Sequence, residues 1–292
     1  MDAQTLTQLL GGRWQRQYGT APCPICQPQR RRDQTALTLA DGTNGRLLAH
    51  CKKTACAFQD ILAAAGVTNG VYIGLDPETI TQRDAEAKAE ANKKSRQAER
   101  CWSEALPIIG TAAERYLRGR GITCELPVTL RYHPNCWHSS GKRFLAMVAL
   151  IEGVSGYAVH RTYLRGDGTG KAEVKPNKAM LGATAGGAVR LTEARGSLVV
   201  AEGIETALSL ASGLLGRPTT IWAALSTSGM RGLHLPSPPG RLTVAMDGDD
   251  AGRAAGHDLA ERAYALGWNV SLLPAPDRSD WCDVLSGKVG LV

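Results

Sequence analysis

Leu198-Val199-Val200-Ala201-Glu202-Gly203-Ile204-Glu205-Thr206-Ala207 and Leu242-Thr243-Val244-Ala245-Met246-Asp247-Gly248-Asp249-Asp250-Ala251-Gly252 decide how this chain folds. Each opens as a short apolar run rich in β-branched residues, the pattern of a buried strand. Each run ends in an acidic residue beside glycine and then passes into helix-period sequence. Around them the same alternation continues. A helix is expected over 204–212, a strand over 220–224, an amphipathic helix over 251–266 and a strand over 269–273. Strands alternating with helices argue for a mainly parallel sheet, in which functional residues collect at the carboxyl ends of the strands. Glu202 and Asp247 each end a strand, so both could meet at one edge. Asp247 and Asp249 stand two apart, so a short turn lets both carboxylates face one divalent cation. Hard cations such as magnesium take oxygen ligands and commonly only one or two carboxylates, which leaves room for phosphate.

Glu202-Gly203 after one strand, then Asp247-x-Asp249 with Gly252 after a later one, resembles the Toprim domain of bacterial-type primases, topoisomerases and some nucleases. The resemblance implies that Asp247 and Asp249 hold Mg²⁺ or Mn²⁺, with Glu202 a further ligand or the general base. Toprim primases carry one more acidic motif after the last strand. Asp280-Trp281-Cys282-Asp283 looks like it, and leaves open which of Asp280 and Asp283 reaches metal.

Upstream, Cys23-Pro24-Ile25-Cys26 is followed, after 24 intervening residues, by Cys51 and then by Cys56. Two cysteine pairs so arranged suit a tetrahedral zinc site. Thr35 to Leu39 and Arg46 to His50 read as two strands joined by a turn at Asp41-Gly42, which makes a zinc ribbon. The favoured ligands are Cys23, Cys26, Cys51 and Cys56, with His50 an alternative to Cys51. The segment is similar to the zinc-binding domain of phage and plasmid primases. Arg30, Arg31, Arg32, Lys52 and Lys53 adjoin the knuckles and could meet template phosphates, contacts that position a strand without reading its sequence. The region from Met1 to Gly19 reads as a short helical pattern. Cys101, Cys124, Cys136 and Cys282 show no ligand spacing, although His133 and His138 flank Cys136 and offer either a second metal site or a structural pair.

Residues 71–100 are rich in Ala, Glu, Lys, Gln and Arg, strong helix formers without an apolar stripe. They read as an exposed helical linker that lets the zinc ribbon move. Beyond Trp102, Ala113 to Ile122 is an amphipathic helix with a glycine stop. Its Tyr116-Leu117-x-x-Arg120-Gly121-Ile122 is similar to the opening of the polymerase core of bacterial-type primases. Phe144 to Leu150 and Gly156 to Leu164 read as a hairpin. In that family, basic residues of this region face template and nucleoside triphosphate, which implies such roles for Arg118, Arg120, His160, Arg161, Lys171, Lys175 and Lys178. Gly166 to Lys171 is not a Walker A loop. Only three residues separate Gly166 from Gly170, and Ala172 stands where Ser or Thr would bind magnesium. No helicase motor is visible.

The net charge of +7 is unevenly spread. Residues 1–70 hold 8 basic and 4 acidic side chains, residues 101–196 hold 13 and 7, and residues 197–292 hold 7 and 10. Basic segments preceding an acidic metal-binding one suit a polyanionic partner. No apolar run reaches membrane-spanning length, and Met1-Asp2-Ala3-Gln4 lacks the features of a signal peptide, so the expected location is the cytoplasm, without membrane attachment.

The expected architecture is α/β, α+β overall: a zinc ribbon (1–70), a helical linker (71–100), the basic N-terminal part of a primase core (101–196) and a Toprim domain with a mainly parallel sheet (197–292). The expected function is a DNA primase that makes short RNA primers on single-stranded DNA from NTPs by two-metal nucleotidyl transfer. Its catalytic carboxylates would be Glu202, Asp247, Asp249 and Asp283, with Asp280 a further metal ligand. Its expected partner is a separate replicative helicase. The alternatives are a Toprim-type nuclease and a non-catalytic zinc-ribbon protein that binds single-stranded DNA.

Overall fold

The computed structural model describes residues 2–15, 17–31, 33–42, 46–67 and 77–288. Arg32 and the linker residues 71–76 lie outside them. The chain divides into two compact units, Met1–Ala89 and Glu90–Val292. Among the described residues no helix is long and apolar enough to cross a membrane.

The first unit opens with α1 (Ala3–Leu9), capped by the Asp2 carboxylate, which accepts from the Thr5 backbone N–H. The helical pattern expected to Gly19 stops early. Gly11, at φ 73°, turns the chain, and β1 (Arg13–Gln15) and β2 (Tyr18–Ala21) follow. Glycine is required here. A Cβ at Gly12 would run into the backbone of Thr20 and Ala21, and one at Gly19 into Thr7 of α1. The expected hairpin is β3 (Leu37–Asp41) and β4 (Leu47–Cys51), which completes an antiparallel sheet of order β1-β2-β3-β4. With α2 (Phe58–Ala64), it closes a small core around Leu6, Leu10, Leu37, Leu39 and Ile61.

The long helix α3 (Pro77–Ser103) contains the division between the units. Its exposed face has the charges expected of a linker, but its last turns bury Ala98 and pack Cys101 and Trp102 onto a second sheet. That sheet is antiparallel and ordered β5 (Leu106–Pro107), β6 (Leu130–Trp137), β7 (Arg143–Ile151), β8 (Ala158–Leu164) and β9 (Lys178–Leu181), with α4 (Ala112–Arg118) between β5 and β6 in the chain. Every residue of β8 is buried, because α3 covers one face and α4 with the C-terminal layer covers the other.

The third sheet uses β10 (Val189–Thr192), β11 (Ser197–Ala201), β12 (Thr220–Ala223), β13 (Arg241–Met246) and β14 (Asn269–Pro274), in the order β10-β12-β11-β13-β14. All its pairs are parallel except β10–β12. The helices are α5 (Ile204–Ser209), continued by a π-turn, then α6 (Thr227–Gly232), α7 (Asp250–Ala265) and α8 (Trp281–Leu285). Two features differ from the segments read in the sequence. Strand β10 precedes residue 197 yet joins the C-terminal sheet, as a short, bulged edge strand with little periodicity to betray it. Residues 101–196 and 197–292 also share one apolar core, in which Tyr116, Leu117 and Met147 pack with Ile204, Leu208 and Trp281, so they form one compact unit.

Candidate metal centres and the basic edge

The four cysteines of the ribbon come together. Cys23, Cys26, Cys51 and Cys56 place their sulfurs within 4.8 Å of one another, and tetrahedral Zn–S bonds of about 2.3 Å put sulfurs about 3.8 Å apart. The first knuckle is held by Gln27. Its backbone N–H donates to the Cys23 carbonyl (2.8 Å), while its side-chain Oε1 accepts from the N–H groups of Cys23 (3.2 Å) and Ala36 (3.0 Å). In the four-residue second knuckle, Thr54 Oγ1 lies 3.0 Å from Cys56 Sγ and 3.8 Å from Cys51 Sγ. Burial pushes the Cys23 thiol up to about 12. Backbone N–H groups aimed at Cys51 overcome its burial and bring that thiol down to about 5. The donor set fits zinc, and His50 points to solvent outside the cluster. Arg30, Arg31, Lys52 and Lys53 are exposed beside it.

The carboxylates gather at the edge of the third sheet. Strands β11 and β13 are neighbours with Ala201 opposite Ala245, so Glu202 and Asp247 leave the sheet side by side. Asp249 caps α7, accepting from the Gly252 N–H at 2.6 Å. A Cβ at Gly252 would stand 3.1 Å from both the Asp247 Cβ and the Asp249 carboxylate, and one at Gly248 would meet the Pro276 carbonyl. The glycines of Asp-Gly-Asp-Asp-Ala-Gly therefore let the turn close against the 276–279 loop. Asp280 caps α8 through the N–H groups of Cys282 and Asp283, both at 2.8 Å.

Electrostatics separates the members of this group. Burial, then the charges of Glu202, Asp280 and Asp249, raises the Asp247 carboxyl to about 7. Its Oδ1 is buried without a hydrogen-bond partner. Glu202 is also raised, by burial and then by Asp249. A half-buried carboxylate with one buried, unpartnered oxygen and further carboxylates beside it offers oxygen ligands of the kind that suit a hard divalent cation. Asp283 is turned elsewhere, with its carboxylate 3.1 Å from Lys288 Nζ. Asp280 is the member of the last motif whose charge reaches Asp247.

A third group adjoins the carboxylate edge and joins Lys171 and Lys178 to Glu205, which was not among the expected site residues. Glu205 on α5 is buried. Its Oε1 accepts from the Tyr116 hydroxyl (2.8 Å) and lies 3.4 Å from Lys171 Nζ, while its Oε2 accepts from Lys178 Nζ (3.0 Å). Burial alone would raise its pKa. Lys178 and Lys171 overcome that and hold the carboxyl well below the usual range. The Lys178 charge also lowers Asp247 and Glu202, so this amine stands between the paired carboxylate and the unpaired ones. The available signal was Glu205 in the first turn of a helix whose neighbours Ile204, Ala207 and Leu208 are apolar: such a carboxylate faces inward and needs partners.

The remaining basic residues divide. Lys175 is exposed. Arg118 is engaged locally, donating to the carbonyls of Ile122 (2.9 Å) and Cys124 (2.8 Å) and pairing with Glu114. Arg120 lies over the Tyr116 ring. His160 and Arg161, expected to face nucleotide, are only 4% and 5% exposed, because β8 is covered on both faces. His160 lies on the Lys178 side. Arg161 lies on the α3 side, where it donates to the Trp137 carbonyl at 3.1 Å. The histidines around Cys136 are a structural pair. His133 accepts from the Asn135 N–H and lies 3.4 Å from Glu104, while His138 is wedged between Ser140 and the Pro176 carbonyl.

Residues 197–289 match the family model of the Toprim domain, and residues 92–191 match a family described as a domain of unknown function (DUF7146). A comparison with curated proteins finds no match. Among solved structures, the chain is similar to a DNA primase domain from Pseudomonas aeruginosa at 19% identity and a TM-score of 0.44, over 67% of this chain and 75% of that one. It is similar to the zinc-binding and RNA polymerase domains of the Aquifex aeolicus primase at 16% identity and a TM-score of 0.45, over 98% and 80%. A third similarity is to the primase fragment of the bacteriophage T7 primase-helicase, at 11% identity and a TM-score of 0.34, over 92% and 94%. The C-terminal part of the second unit, residues 197–289, is a Toprim domain by this match, and the carboxylate edge lies within it.

Proposed function

We propose that this Toprim chain is a DNA primase, which joins nucleotides on a single-stranded DNA template and releases pyrophosphate. The observation that supports the reading best is Asp247, a half-buried carboxylate with one buried oxygen that has no hydrogen-bond partner, crowded by Glu202, Asp249 and Asp280 and faced by Lys178. Mg²⁺ or Mn²⁺ bound among these carboxylates would neutralise triphosphate charge and make the attacking hydroxyl more acidic. The protein's own part is placement. Lys178 and Lys171, held by Glu205, offer their ammonium groups to the anionic triphosphate beside the carboxylates, with Lys175 exposed nearby and His160, Arg161 and Arg120 bracing the layer beneath. Glu202 is in place to ligate or to take the proton of the 3′-hydroxyl as that oxygen bonds the α-phosphorus and pyrophosphate departs. Phosphoryl transfer of this type depends on positioning and charge, not on a covalent enzyme intermediate. Of the two acids of the last motif, Asp280 takes the metal-facing role and Asp283 supports it from α8. The zinc ribbon, with Arg30, Arg31, Lys52 and Lys53 exposed beside it, would hold the template, and a separate helicase would supply unwound DNA.

The test is primer synthesis on single-stranded templates with labelled NTPs and Mg²⁺ or Mn²⁺. Wild type is expected to make short RNA, and Asp247→Ala to make at least a hundredfold less. Metal-dependent cutting of the template without synthesis would replace the primase by a nuclease. Binding without either activity would leave a single-stranded DNA-binding protein.

A further inference from the structure

Two cysteines outside the ribbon meet between α3 and the second sheet. Cys101, in the last turn of α3, and Cys136, on β6, place their sulfurs 3.9 Å apart. The helix end is held there by more than the thiols. The Arg131 guanidinium lies 4.2 Å over the Trp102 ring and donates to the Trp102 carbonyl at 3.2 Å. Glu104, just past the helix, lies 3.4 Å from His133. Cys136 is 1% exposed and Cys101 is half-buried, so Cys101 is the solvent side of the pair.

Two thiols packed as small hydrophobes would need only apolar neighbours. These have a charge beside them. Val159, Arg161 and Tyr163 alternate onto the face of β8 that α3 covers, so Arg161 is buried in an otherwise apolar layer. Its side chain donates to the Trp137 carbonyl, and its Nε is buried without a hydrogen-bond partner. Among the described residues no carboxylate pairs with it. A buried guanidinium without a counter-ion is costly. The Cys136 sulfur supplies one when it loses its proton. A hydrogen bond from Cys101 first, and then Arg161 and Arg143 against the cost of burial, bring the Cys136 thiol down. The same hydrogen bond, then burial, pushes the Cys101 thiol up, and the Glu104 charge adds to that. The result is a thiolate, a second thiol that donates to it and a buried cation that holds it. Those are the parts of a nucleophilic thiol and its resolving partner.

We propose that Cys101 and Cys136 form a reversible, peroxide-sensitive disulfide that ties the end of α3 to β6. The oxidant is hydrogen peroxide, small enough to enter beside Cys101. The Cys136 thiolate attacks one peroxide oxygen, the O–O bond breaks and hydroxide leaves, which gives a sulfenic acid. The Cys101 sulfur then attacks the Cys136 sulfur, and its proton departs with the sulfenic hydroxyl as water. Two electrons have passed from the sulfurs to the peroxide, which ends as two waters. An S–S bond is about 2 Å long, so the sulfurs have about 2 Å to close, a shift within reach of side-chain rotation. The site lies apart from the carboxylate edge and does not depend on what the chain does to nucleic acid.

The experiment treats the full zinc-loaded chain with hydrogen peroxide at neutral pH, blocks the remaining thiols with iodoacetamide in denaturant and maps tryptic peptides by mass spectrometry. Trypsin cuts after Arg100, Arg115, Arg131 and Lys142, so Cys101 and Cys136 leave on separate peptides with no other cysteine. Wild type is expected to give these two peptides joined, less two hydrogens, and dithiothreitol to release them. In Cys101→Ser, Cys136 should advance to the sulfinic acid, because no second thiol intercepts the sulfenic acid. In Cys136→Ala, oxidation of Cys101 should be at least about tenfold slower, because the thiolate is gone. Wild type alone decides the central claim, so a variant that fails to fold leaves the test intact. Recovery of both cysteines alkylated after the ribbon thiols have oxidised overturns the proposal. So does either cysteine joined to a different one, or joined peptides that form only in denaturant.

Discussion

Four thiols meet in the N-terminal unit and four carboxylates gather at the Toprim edge, yet the two clusters depend on their surroundings in opposite senses. The thiols sit on knuckles at the ends of a small sheet whose apolar core is a handful of side chains. Gln27 and Thr54 brace each knuckle locally, but a shared metal would be the main tie between the two. The carboxylates are placed by strand ends and helix caps belonging to a large shared core. That core holds them together although they repel. On the proposed reading the ribbon would need its ion in order to fold, whereas the Toprim edge would be folded in advance and would need its ion in order to act.

The largest expected effect tests the first half of this contrast. Stripping zinc with a strong chelator, or making Cys51→Ser, should unfold residues 1–67, because structural zinc contributes on the order of 10 kcal/mol or more to such a domain. Limited proteolysis should then cut the ribbon and spare residues 90–288. A ribbon that keeps a cooperative melt after zinc removal would break the comparison.

Next in size is Glu205, the carboxylate on the same edge that is not crowded by its own kind. Glu205→Gln leaves Lys171 and Lys178 with no partner for their charge. The cost is about 3 kcal/mol, at the low end for a buried pair, because each lysine side chain keeps about a third of its surface exposed. Denaturant unfolding of the second unit measures it, and a loss under about 0.5 kcal/mol would show that the pairing contributes nothing.

Much of this was legible in the sequence. Period and punctuation sufficed for β11, β13, α7 and the ribbon hairpin, because each is a regular apolar pattern bounded by glycine or acid. The two cysteine pairs and the strand-end acids were readable because their chemistry depends on local spacing. What escaped was whatever depends on distant partners. Strand β10 is four residues at an edge, β1 is three, and neither repeats enough to show a period. Glu205 meets Tyr116, 89 residues away, and no spacing rule connects them. His160 and Arg161 read as ligand-facing because basic residues of this region face template and nucleotide in the primases that the chain resembles. Their burial comes from layers packed on both faces of β8, which only the tertiary structure decides.

The pH dependence of the second unit sharpens the contrast by a smaller step. His160 is surrounded by Lys178 on β9, by Lys171, by Arg161 on its own strand and by Glu205 on α5. Burial first, and the cations next, hold its pKa down to about 4. The unfolded chain binds that proton near pH 6.5 and the folded chain does not, so stability falls as pH drops from about 6.5 to about 4. The total is up to about 3 kcal/mol, and less with local relaxation. His160→Gln should flatten this window in urea melts across pH. An unchanged slope would mean that the ring is protonated where it stands.

The smallest effect has the opposite sign, and it tests the second half of the contrast most directly. Asp247 is half-buried beside Glu202, Asp249 and Asp280, with one buried oxygen unpartnered. Asp247→Asn removes one of the repelling charges and gives that position hydrogen-bond donors its neighbours can accept. It should therefore stabilise the second unit by about 1 kcal/mol in EDTA, a size set by partial solvent screening of the edge. Added Mg²⁺ should reverse the order. Wild type gains stability by binding the ion in its folded form alone, whereas the asparagine variant, short one charged ligand, gains less. A variant destabilised in both conditions would mean that the carboxylate is an ordinary structural group. A crossing of the two melting temperatures with Mg²⁺ concentration would show an edge that gives up stability to hold its ion.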